Sequence, residues 1–549
     1  MIAATLLSSS ISFAVVDMKN ANYSESWIDV TVPGSGMDFK IQRHYNSRSI
    51  FSGMFGYGWC SDYETTLERT PEGGLKLQEC GAGQEISYQP ARSDGKGVDV
   101  TINQIMDYAR KNNRTATAQY FDTLRLQLQE NPGLRQRWAV EAKLRIPEAK
   151  KGSVYEASTL EVEKIVYDGT YFTRTLTDGT LQKFDKDGRL VFVYDKNGNY
   201  VKMVYNGGQL RELIDNNARK LSLNYSSNKK VSAITGPGQI KAEYIFKGED
   251  LVEVRNMWKN KYGYQYDDLH NLQRVDFPDK TFLSLTYNKN NDWVTSFTER
   301  AVGGPACTEQ YTYEVDKKAP DDHYWSVANK KCGKDIQNQA RFEFWHKKRN
   351  DGKRFLSRVL TKSNTDSLDV TYHAELGRPV QIKKNNQVTT FGYYTNGLIQ
   401  WKSTDQFKMN FEYKNEFNKV SKVVTEYYDV MKKVNKKRET VFRYDGKANL
   451  VFASNTDGQT VALTYDLRGR IASITDQAKK EVRIQYEERT GKPASITRPS
   501  VGTIQVSYKP NGEILKVDSK EGPTVAVQVA STFNNLLDII APATSELSL

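Results

Sequence analysis

Residues 465–471 read YDLRGRI: a tyrosine, an aspartate, a short polar turn and an aliphatic residue. Near-copies stand at 184–190 (FDKDGRL), 194–199 (YDKNGN) and 444–450 (YDGKANL). A catalytic motif usually occurs once, whereas a motif that recurs is more often the building unit of a repeat protein. The recurrence therefore predicts a repeat architecture.

The repeating unit has the pattern of a β-hairpin. Val461, Leu463 and Tyr465 alternate with smaller or more polar residues, which is the two-residue period of a strand with two different faces. Asp466 and Gly469 favour a turn, because aspartate bonds its own backbone and glycine accepts a positive φ. An aliphatic residue then begins the return strand. We expect the ring beside each turn to form a ladder with rings of neighbouring hairpins.

Similar units recur about every 21 residues. The series breaks at about 297–370, and an insertion lies at about 424–438. A 21-residue unit divides into two strands of ordinary length and two turns. The residues predicted to have this structural role are Tyr194, Asp195, Tyr266, Asp267, Tyr444, Asp445, Tyr465, Asp466 and Gly469.

The units resemble the YD repeats of the Rhs family, whose relatives occur in insecticidal toxin complexes and teneurins. An independent stretch resembles the leader module that precedes such repeats: VPGSG at 32–36, then R-x-YNS, then G-x-FG-x-GW. The leader motif comprises Arg43, Tyr45, Asn46, Gly56, Gly58 and Trp59. The chain thus looks like a short member of the Rhs, or YD-repeat, family.

The resemblance implies a mostly β fold, in which an antiparallel sheet of YD-repeat hairpins spirals into a partial shell. Large members of the family enclose a C-terminal toxin that is released by self-cleavage. This sequence has no Asp-Pro dipeptide of the cleavage motif, and only about 30 residues follow the last unit. The toxin role is therefore not expected here.

Five segments are predicted along the chain. Residues 92–150 have the spacing of two or three helices, which would dock a partner, gate a cavity or cover a sheet edge. The segments are 1–14, a signal-peptide remnant; 15–91, an N-terminal β module; 92–150, a helical insertion; 151–521, the repeat sheet; and 522–549, a tail with a short helix.

The first residues are apolar and end in Ser12-Phe13-Ala14, which resembles a signal-peptide cleavage region. Lys and Arg are absent from the stretch before it, so a start further upstream and a buried strand both stay open. Export predicts a secreted, periplasmic or cell-surface protein. No other stretch is long and apolar enough to predict a membrane span.

Four cysteines fit an exported chain. The local pairs Cys60 with Cys80 and Cys307 with Cys332 are candidate disulfides, although four cysteines allow three connectivities. The sequence has no C-x-x-C, and its five histidines are scattered, so zinc is not expected. No cofactor is expected either.

A net charge of +12 predicts attraction to anionic surfaces, with a merely soluble lysine-rich surface as the alternative. Two basic stretches lie in the interruptions of the series, one of them interleaved with aromatic residues. They suit an anionic glycan or polymer, or are simply solvated charge runs. Their residues are Lys330, Lys331, Phe344, Trp345, Lys347, Lys348, Arg349, Lys353, Arg354, Lys432, Lys433, Lys436, Lys437 and Arg438.

Motifs of common enzyme classes are absent, including G-x-S-x-G, H-E-x-x-H and the P-loop, so no catalytic residue is predicted. The leading hypothesis is an exported, non-enzymatic scaffold whose basic rim binds an anionic glycan, a polymer or a protein of the envelope. One alternative is a reduced shell that holds a separate toxin or peptide. Another is a hydrolase of wall material or polysaccharide. Nucleic acid is not an expected partner.

Overall fold

The computed structural model describes residues 16–34, 36–80, 85–91, 96–157, 163–333, 335–349, 352, 354–364, 366–414, 416–429, 434–509, 513–519 and 522–544. The predicted signal segment at 1–14 lies outside these residues. The chain forms two compact units. The large unit comprises Met1–Ser61, Asn197–Val201 and Tyr205–Leu549, and the small unit comprises Asp62–Lys196 and Lys202–Val204.

The described residues are mostly β, as predicted. The strands before the helical segment are β1 Ser24–Val32, β2 Phe39–Asn46, β3 Ser52–Gly53, β4 Gly56–Tyr57, β5 Trp59–Cys60, β6 Thr66–Arg69, β7 Leu75–Gln78 and β8 Glu85–Pro90. The helices are α1 Lys96–Asn112, α2 Ala118–Glu130, α3 Pro132–Glu141 and α4 Gly522–Thr544.

The strands between α3 and residue 300 are β9 Val154–Ala157, β10 Lys164–Tyr167, β11 Phe172–Thr175, β12 Leu181–Phe184, β13 Leu190–Tyr194, β14 Tyr200–Asn206, β15 Gln209–Asp215, β16 Lys220–Tyr225, β17 Val231–Thr235, β18 Lys241–Lys247, β19 Asp250–Arg255, β20 Lys261–Tyr266, β21 Leu272–Asp276, β22 Phe282–Tyr287 and β23 Val294–Arg300.

The strands that follow are β24 Ala306–Val315, β25 His323–Cys332, β26 Asp335–Lys348, β27 Arg354–Lys362, β28 Ser367–Tyr372, β29 Pro379–Lys384, β30 Gln387–Tyr393, β31 Ile399–Ser403, β32 Phe407–Lys414, β33 Lys419–Asp429, β34 Val434–Tyr444, β35 Leu450–Asn455, β36 Thr460–Tyr465, β37 Ile471–Asp476, β38 Glu481–Tyr486, β39 Pro493–Arg498, β40 Gly502–Tyr508 and β41 Ile514–Asp518.

In the small unit, strands β6 to β13 pair each with the next in antiparallel order. The first strand also meets the turn before β13, where the backbone N–H of Leu67 donates to the carbonyl of Gly188 at 2.9 Å. Gly188 has a φ of +81°, and a Cβ there would lie 1.8 Å from the Leu67 oxygen. The predicted YD turn at 184–190 therefore requires glycine for close backbone approach.

Three helices of the small unit occupy the segment in which the sequence predicted two or three. The side chain of Thr117 accepts a hydrogen bond from the backbone N–H of Tyr120 and so caps α2. Asn131 caps α3 in the same way. The helices share an apolar core that contains Ile102, Ile105, Met106, Ala109, Leu124 and Leu128.

In the large unit, strands β15 to β41 pair each with the next in antiparallel order, as the repeats predicted. Where an aspartate follows the repeat tyrosine, as at Asp466, it holds the turn. Oδ1 of Asp466 accepts hydrogen bonds from the backbone N–H groups of Arg468 and Arg470 at 2.9 and 3.0 Å. Asp267 and Asp445 bond their own turns in the same way.

The repeat tyrosines make a hydrogen bond that the sequence did not predict. The hydroxyl of Tyr465 donates to the carbonyl oxygen of Leu450, the first residue of β35, at 2.7 Å. Each such bond ties a hairpin to the previous one, so the tyrosine beside the turn acts through its hydroxyl. Equivalent bonds to residues 14 to 24 positions earlier are made by Tyr225, Tyr266, Tyr287, Tyr393, Tyr413, Tyr444, Tyr486 and Tyr508.

The predicted break at 297–370 is not a break in the sheet. Strands β24 to β27 continue the pairing without interruption and are 10, 10, 14 and 9 residues long. Longer strands change the sequence period without changing the topology. The insertion at 424–438 falls where β33 and β34 form an extended hairpin.

One predicted disulfide crosses the first long hairpin. Cys307 and Cys332 are directly opposed on β24 and β25, with Cα atoms 4.2 Å apart, and are bonded to each other. Cys60 and Cys80 are also in the disulfide form.

The leader motif docks on one face of the large unit's sheet, which we call the leader face. Arg43 is fully buried and donates through Nη2 to Oδ1 of Asp29 at 3.0 Å and to the hydroxyl of Tyr264 at 3.1 Å. Its guanidinium lies 4.6 Å from the ring centroid of Trp59. The buried charge is thus paired and enclosed by aromatic rings.

Other leader residues bond the repeat backbone and side chains. The hydroxyl of Tyr45 accepts from the backbone N–H of Leu272 at 2.9 Å, and Nε1 of Trp59 donates to the hydroxyl of Tyr266 at 2.8 Å. Within the leader itself, the backbone N–H of Asn46 donates to the carbonyl of Gly58. The leader motif therefore attaches the N-terminal strands to the repeat sheet.

The predicted module at 15–91 is divided by the structure. Residues 16–61 belong to the large unit, whereas β6, β7 and β8 pair within the small unit. The sequence missed this boundary because all these strands have the same alternating pattern.

Helix α4 packs on the leader face as well. It spans 23 residues, longer than the short helix predicted. Val525 and Val529 pack against Val482 and Ile484, and Leu536 and Ile539 belong to the core formed by strands β28 to β37. Among the described residues, no helix is long and apolar enough to cross a membrane.

Turns from distant repeats of the large unit meet. Nδ2 of Asn199 donates to the carbonyl of Arg468, and Nη2 of Arg468 donates to Oδ1 of Asn217, both at 3.0 Å. These partners are 269 and 251 residues apart in sequence. Arg219 joins the same region by donating to the carbonyls of Pro33 and Arg489.

Candidate anion-binding groove

The first predicted basic stretch is divided between two ends of the long strands. Lys330 and Lys331 lie where β25 ends, whereas Lys347 and Lys348 lie at the far end of the 14-residue strand β26. At about 3.3 Å per residue the two ends are roughly 45 Å apart. Arg349 and Arg354 lie at the second end, and Lys353 lies outside the described residues. These residues do not form one rim.

Several of these charges have acidic partners. Nζ of Lys330 lies 3.4 Å from Glu299 and 3.3 Å from Glu309. Arg354 lies 3.2 Å from Asp321 and 3.2 Å from Asp322. Such surface pairs reduce the attraction of an external anion.

The two predicted aromatic residues point to opposite faces. Phe344 is 5% exposed on the leader face and stacks on Tyr324 with centroids 5.0 Å apart, so it cannot contact a ligand from solvent. Trp345 is on the other face, between the imidazole of His323 at 5.0 Å and the guanidinium of Arg358 at 4.7 Å. The ring is therefore stacked between neighbours and does not offer an open platform for a sugar.

His323 is the centre of an acidic cluster beside this tryptophan. Its Nε2 lies 2.8 Å from Oε1 of Glu343, and its Nδ1 lies 3.1 Å from Oδ2 of Asp316. Burial opposes ionisation of Glu343, but hydrogen bonds from Arg341 and His323 hold its pKa below the usual value. Both ring nitrogens of His323 are therefore engaged by carboxylates.

The second basic stretch lines a groove. A cavity of about 490 Å³ lies between the turn that joins β31 to β32 and the extended hairpin of β33 and β34. Lys436 and Lys437 line it, while Lys432 and Lys433 lie outside the described residues. The other lining residues are Ser403, Thr404, Asp405, Gln406, Phe407, Lys408, Glu426, Tyr427, Tyr428 and Asn435.

Strand pairing explains why these side chains converge. Lys408, Glu426 and Lys437 are cross-strand neighbours on one face of three adjacent strands. On the other face, Phe407 and Tyr427 are paired in the same manner, and Tyr427 is opposite Lys436. The groove at the strand ends is thus reached by side chains of both faces.

The groove combines positive charge with ring surface. Lys408, Lys436 and Lys437 supply three ammonium groups against the two carboxylates of Asp405 and Glu426. Tyr428 is 52% exposed. Ammonium groups attract carboxylate or sulfate groups, and exposed rings pack against the apolar faces of sugars.

The remaining residue of the stretch is engaged elsewhere. Arg438 lies 3.0 Å from Asp457 and donates to Gln459 at 2.9 Å, so it is not part of the groove. Lys408, Phe407, Tyr427 and Tyr428 were missed by the sequence prediction. Tyr427 and Tyr428 precede the basic run at 432–438 in the sequence, so they could have been predicted as part of the site. Lys408 could not, because its place in the groove depends on strand register.

Residues 14–88 match a family model described as a domain of unknown function, DUF6531. The chain is 25% identical over 321 residues to the tRNA3(Ser)-specific nuclease WapA of Bacillus spizizenii. That match covers 52% of this chain but only 13% of the relative. Together with the repeats, these matches support a relationship to Rhs/YD-repeat proteins.

Solved structures of TcdB2-TccC3 are also similar. The structure described as TcdB2-TccC3-TEV is 10% identical, has a TM-score of 0.42 and matches 91% of this chain with 28% of its own length. The structure of TcdB2-TccC3 without its hypervariable C-terminal region is 12% identical, with a TM-score of 0.40 and coverage of 90% and 29%. The chain therefore spans less than a third of the relatives that it matches.

Proposed function

We propose that this protein is an exported, non-enzymatic binding scaffold that holds an anionic polysaccharide in the groove between β31 and β34. The observation that carries the proposal is the groove itself, where Lys408, Lys436 and Lys437 surround a cavity beside the half-buried ring of Tyr427 and the exposed ring of Tyr428. Elsewhere the predicted basic residues are dispersed, as at the two ends of β26.

A binding role without turnover is supported by the state of the acid and base groups. His323 is hydrogen-bonded to both Asp316 and Glu343, and Glu343 is also paired with Arg341. Both ring nitrogens of His323 are engaged by carboxylates, so neither is open to a substrate.

Export is supported by the oxidised cysteines and by the apolar first residues of the chain. The alternative of an enclosed cargo is less well supported. In the described part of the large unit, the leader and α4 both pack on the same face of the sheet, where a cargo would compete with them.

Binding to polygalacturonate, an anionic polysaccharide, tests the proposal, with dextran as the neutral control polymer. We expect the triple substitution Lys408→Met, Lys436→Met and Lys437→Met to weaken binding about tenfold, because three charge contacts with the polymer are lost. The matched control is Lys331→Met, Lys347→Met and Lys348→Met, which removes the same charge from exposed positions outside the groove.

If the two triple variants weakened polymer binding equally, binding would depend on net charge alone, and the proposal would be overturned. Shortening of the polymer during incubation would identify an enzyme instead. A second protein that stays bound to the native material at high salt would favour the cargo alternative.

A further inference from the structure

The charges of the anion-binding groove are arranged in a fixed order. Lys408 of β32 is paired with Glu426 of β33, and Glu426 is paired with Lys437 of β34. The three residues therefore form one row across adjacent strands, and each of them is exposed. Neighbouring strands are about 4.8 Å apart, so the backbones of the two lysines are separated by about 10 Å, with the glutamate between them.

An exposed aromatic ring lies beside the middle of this row. Tyr428 is two residues from Glu426 on β33, so both side chains are on the same face of the sheet. Its cross-strand partner is Asn435, which also lines the groove. Tyr428 is 52% exposed and offers its ring to the face of a sugar.

A second ring lies at the β32 end of the row. Nζ of Lys408 is 5.9 Å from the ring centroid of Trp401, a half-buried residue of β31. Trp401 is paired with Gly392 of β30, where a Cβ would lie only 2.0 Å from Nε1 of the indole. The indole therefore leans over β30 and extends the surface beyond Lys408 in the direction of the row.

An extended polysaccharide has a repeat that matches this row. One sugar with its linkage is about as long as the distance between two strands. A chain that crosses the strands therefore places alternate sugars beside Lys408 and Lys437 and the sugar between them beside Glu426. The order of charges in the ligand that complements the row is negative, uncharged or positive, and negative.

We propose that the groove selects a polysaccharide in which uronate sugars alternate with N-acetylated amino sugars. The carboxylates of two uronates face Lys408 and Lys437, and the acetamido N–H of the sugar between them donates to Glu426. A uronate at the middle position would place its carboxylate against Glu426, and this repulsion disfavours a polymer of uronate alone. The inference rests on the proposed function, because it narrows the polymer held in the same groove.

Hexasaccharides of hyaluronan and of polygalacturonate test the order of charges. Hyaluronan alternates glucuronate with N-acetylglucosamine, whereas polygalacturonate carries a carboxylate on every sugar. Short oligomers avoid the multivalent binding of a long polymer. In calorimetric titration of the full chain, we expect the hyaluronan hexasaccharide to bind about fivefold more tightly, although it carries fewer charges.

The substitution Glu426→Gln tests whether this residue sets the preference. It removes the repulsion, so the polygalacturonate hexasaccharide should bind about fivefold more tightly than to the unaltered protein. Binding of the hyaluronan hexasaccharide should change by less than about twofold, because the amide oxygen of glutamine still accepts from the acetamido N–H. The matched control is Glu375→Gln, which removes the same charge from an exposed position in the turn between β28 and β29 and should leave the preference unchanged.

The substitution Trp401→Leu tests whether the polymer follows the row. It should weaken both hexasaccharides about fivefold, because a sugar loses the ring beside Lys408. A melting curve of each variant checks its folding. Unchanged binding by a folded Trp401→Leu variant would mean that the polymer does not cross the strands in this direction, and the proposal would be overturned.

Three further results would overturn the proposed selection while the function of the groove stood. These are tighter binding of the polygalacturonate hexasaccharide by the unaltered protein, an equal change of both affinities in Glu426→Gln, and binding of full-length polygalacturonate without binding of either hexasaccharide. Absence of binding to every one of these saccharides would overturn the proposed function itself. The two failures are therefore distinguishable.

Discussion

At the scale of single residues, buried polar groups join the leader to the repeats. Arg43 and Asp29 are 0% and 1% exposed, and the tyrosines around them are hydrogen-bonded to this pair. A buried ion pair is not by itself strong evidence of net stabilisation, because desolvation opposes the attraction. Replacing only one partner, however, leaves the other as an unpaired buried charge.

Arg43→Met should destabilise the large unit by about 3 to 5 kcal/mol, since Asp29 would lose its buried partner. Chemical denaturation followed by tryptophan fluorescence measures the change. The double variant Arg43→Met with Asp29→Leu should recover part of the loss. A double variant as unstable as the single one would contradict this account.

Buried tyrosines should make the protein sensitive to alkali. Burial raises the pKa of Tyr264 to about 12, and burial followed by the charge of Asp445 raises the pKa of Tyr465 to about 12. A folded pKa above the unfolded value of about 10 means that this stability is complete below pH 10 and is lost as the pH rises towards 12.

Unfolding free energies measured across this pH range, together with phenolate absorbance, check the expectation. Tyr264→Phe should flatten the fall in stability. A fall that begins well below pH 10 would assign the effect to other groups.

At the scale of elements, α4 is attached to the sheet through one face. Leu536 is 7% exposed, whereas its neighbour Leu537 is 53% exposed. The helical period places these adjacent residues in different environments, and the sequence predicted the helix but not its length or its docking face. Contacts with strands distant in sequence decide that face.

The adjacent leucines of α4 provide a matched pair of substitutions. Leu536→Asp should destabilise by about 3 kcal/mol or more, because it buries a charge against the sheet, and Leu537→Asp should change stability by less than about 0.5 kcal/mol. Thermal melting of both variants tests this. Equal effects would mean that α4 is not packed as described.

At the scale of the whole molecule, the meeting of distant turns depends on glycine. Gly469 has a φ of +79°, and a Cβ there would lie 2.1 Å from the side chain of Asn197. Gly458 has a φ of +82° in a comparable turn, but nothing lies within 4 Å of the same position. The two glycines share backbone geometry and differ in tertiary contact.

Gly469→Ala should therefore destabilise by more than Gly458→Ala does. Both substitutions strain a left-handed backbone by about 1 kcal/mol, and the first adds steric overlap of about 1 to 3 kcal/mol. Denaturant titration of both variants measures the difference. Equal losses would show that the turns do not meet in solution.

The repeat unit could be predicted from the sequence because its determinants are local. The bonds from Asp466 to its turn and the alternation before Tyr465 fall within about 20 residues of chain. The helices at 96–141 followed from their apolar spacing for the same reason. The basic residues could be recognised by residue type, but their clustering in space could not be predicted. The lengths of β25 and β26 place Lys331 and Lys348 at opposite ends of these strands.

By itself, the sequence determined the hairpin unit, its antiparallel order, the leader motif and the helical segment, because side-chain alternation and turn bonds act over short distances. The tertiary structure decided where the leader and α4 dock, which turns meet, and which lysines share a groove. Those features depend on the register accumulated over many strands, where contacts join residues more than 200 positions apart.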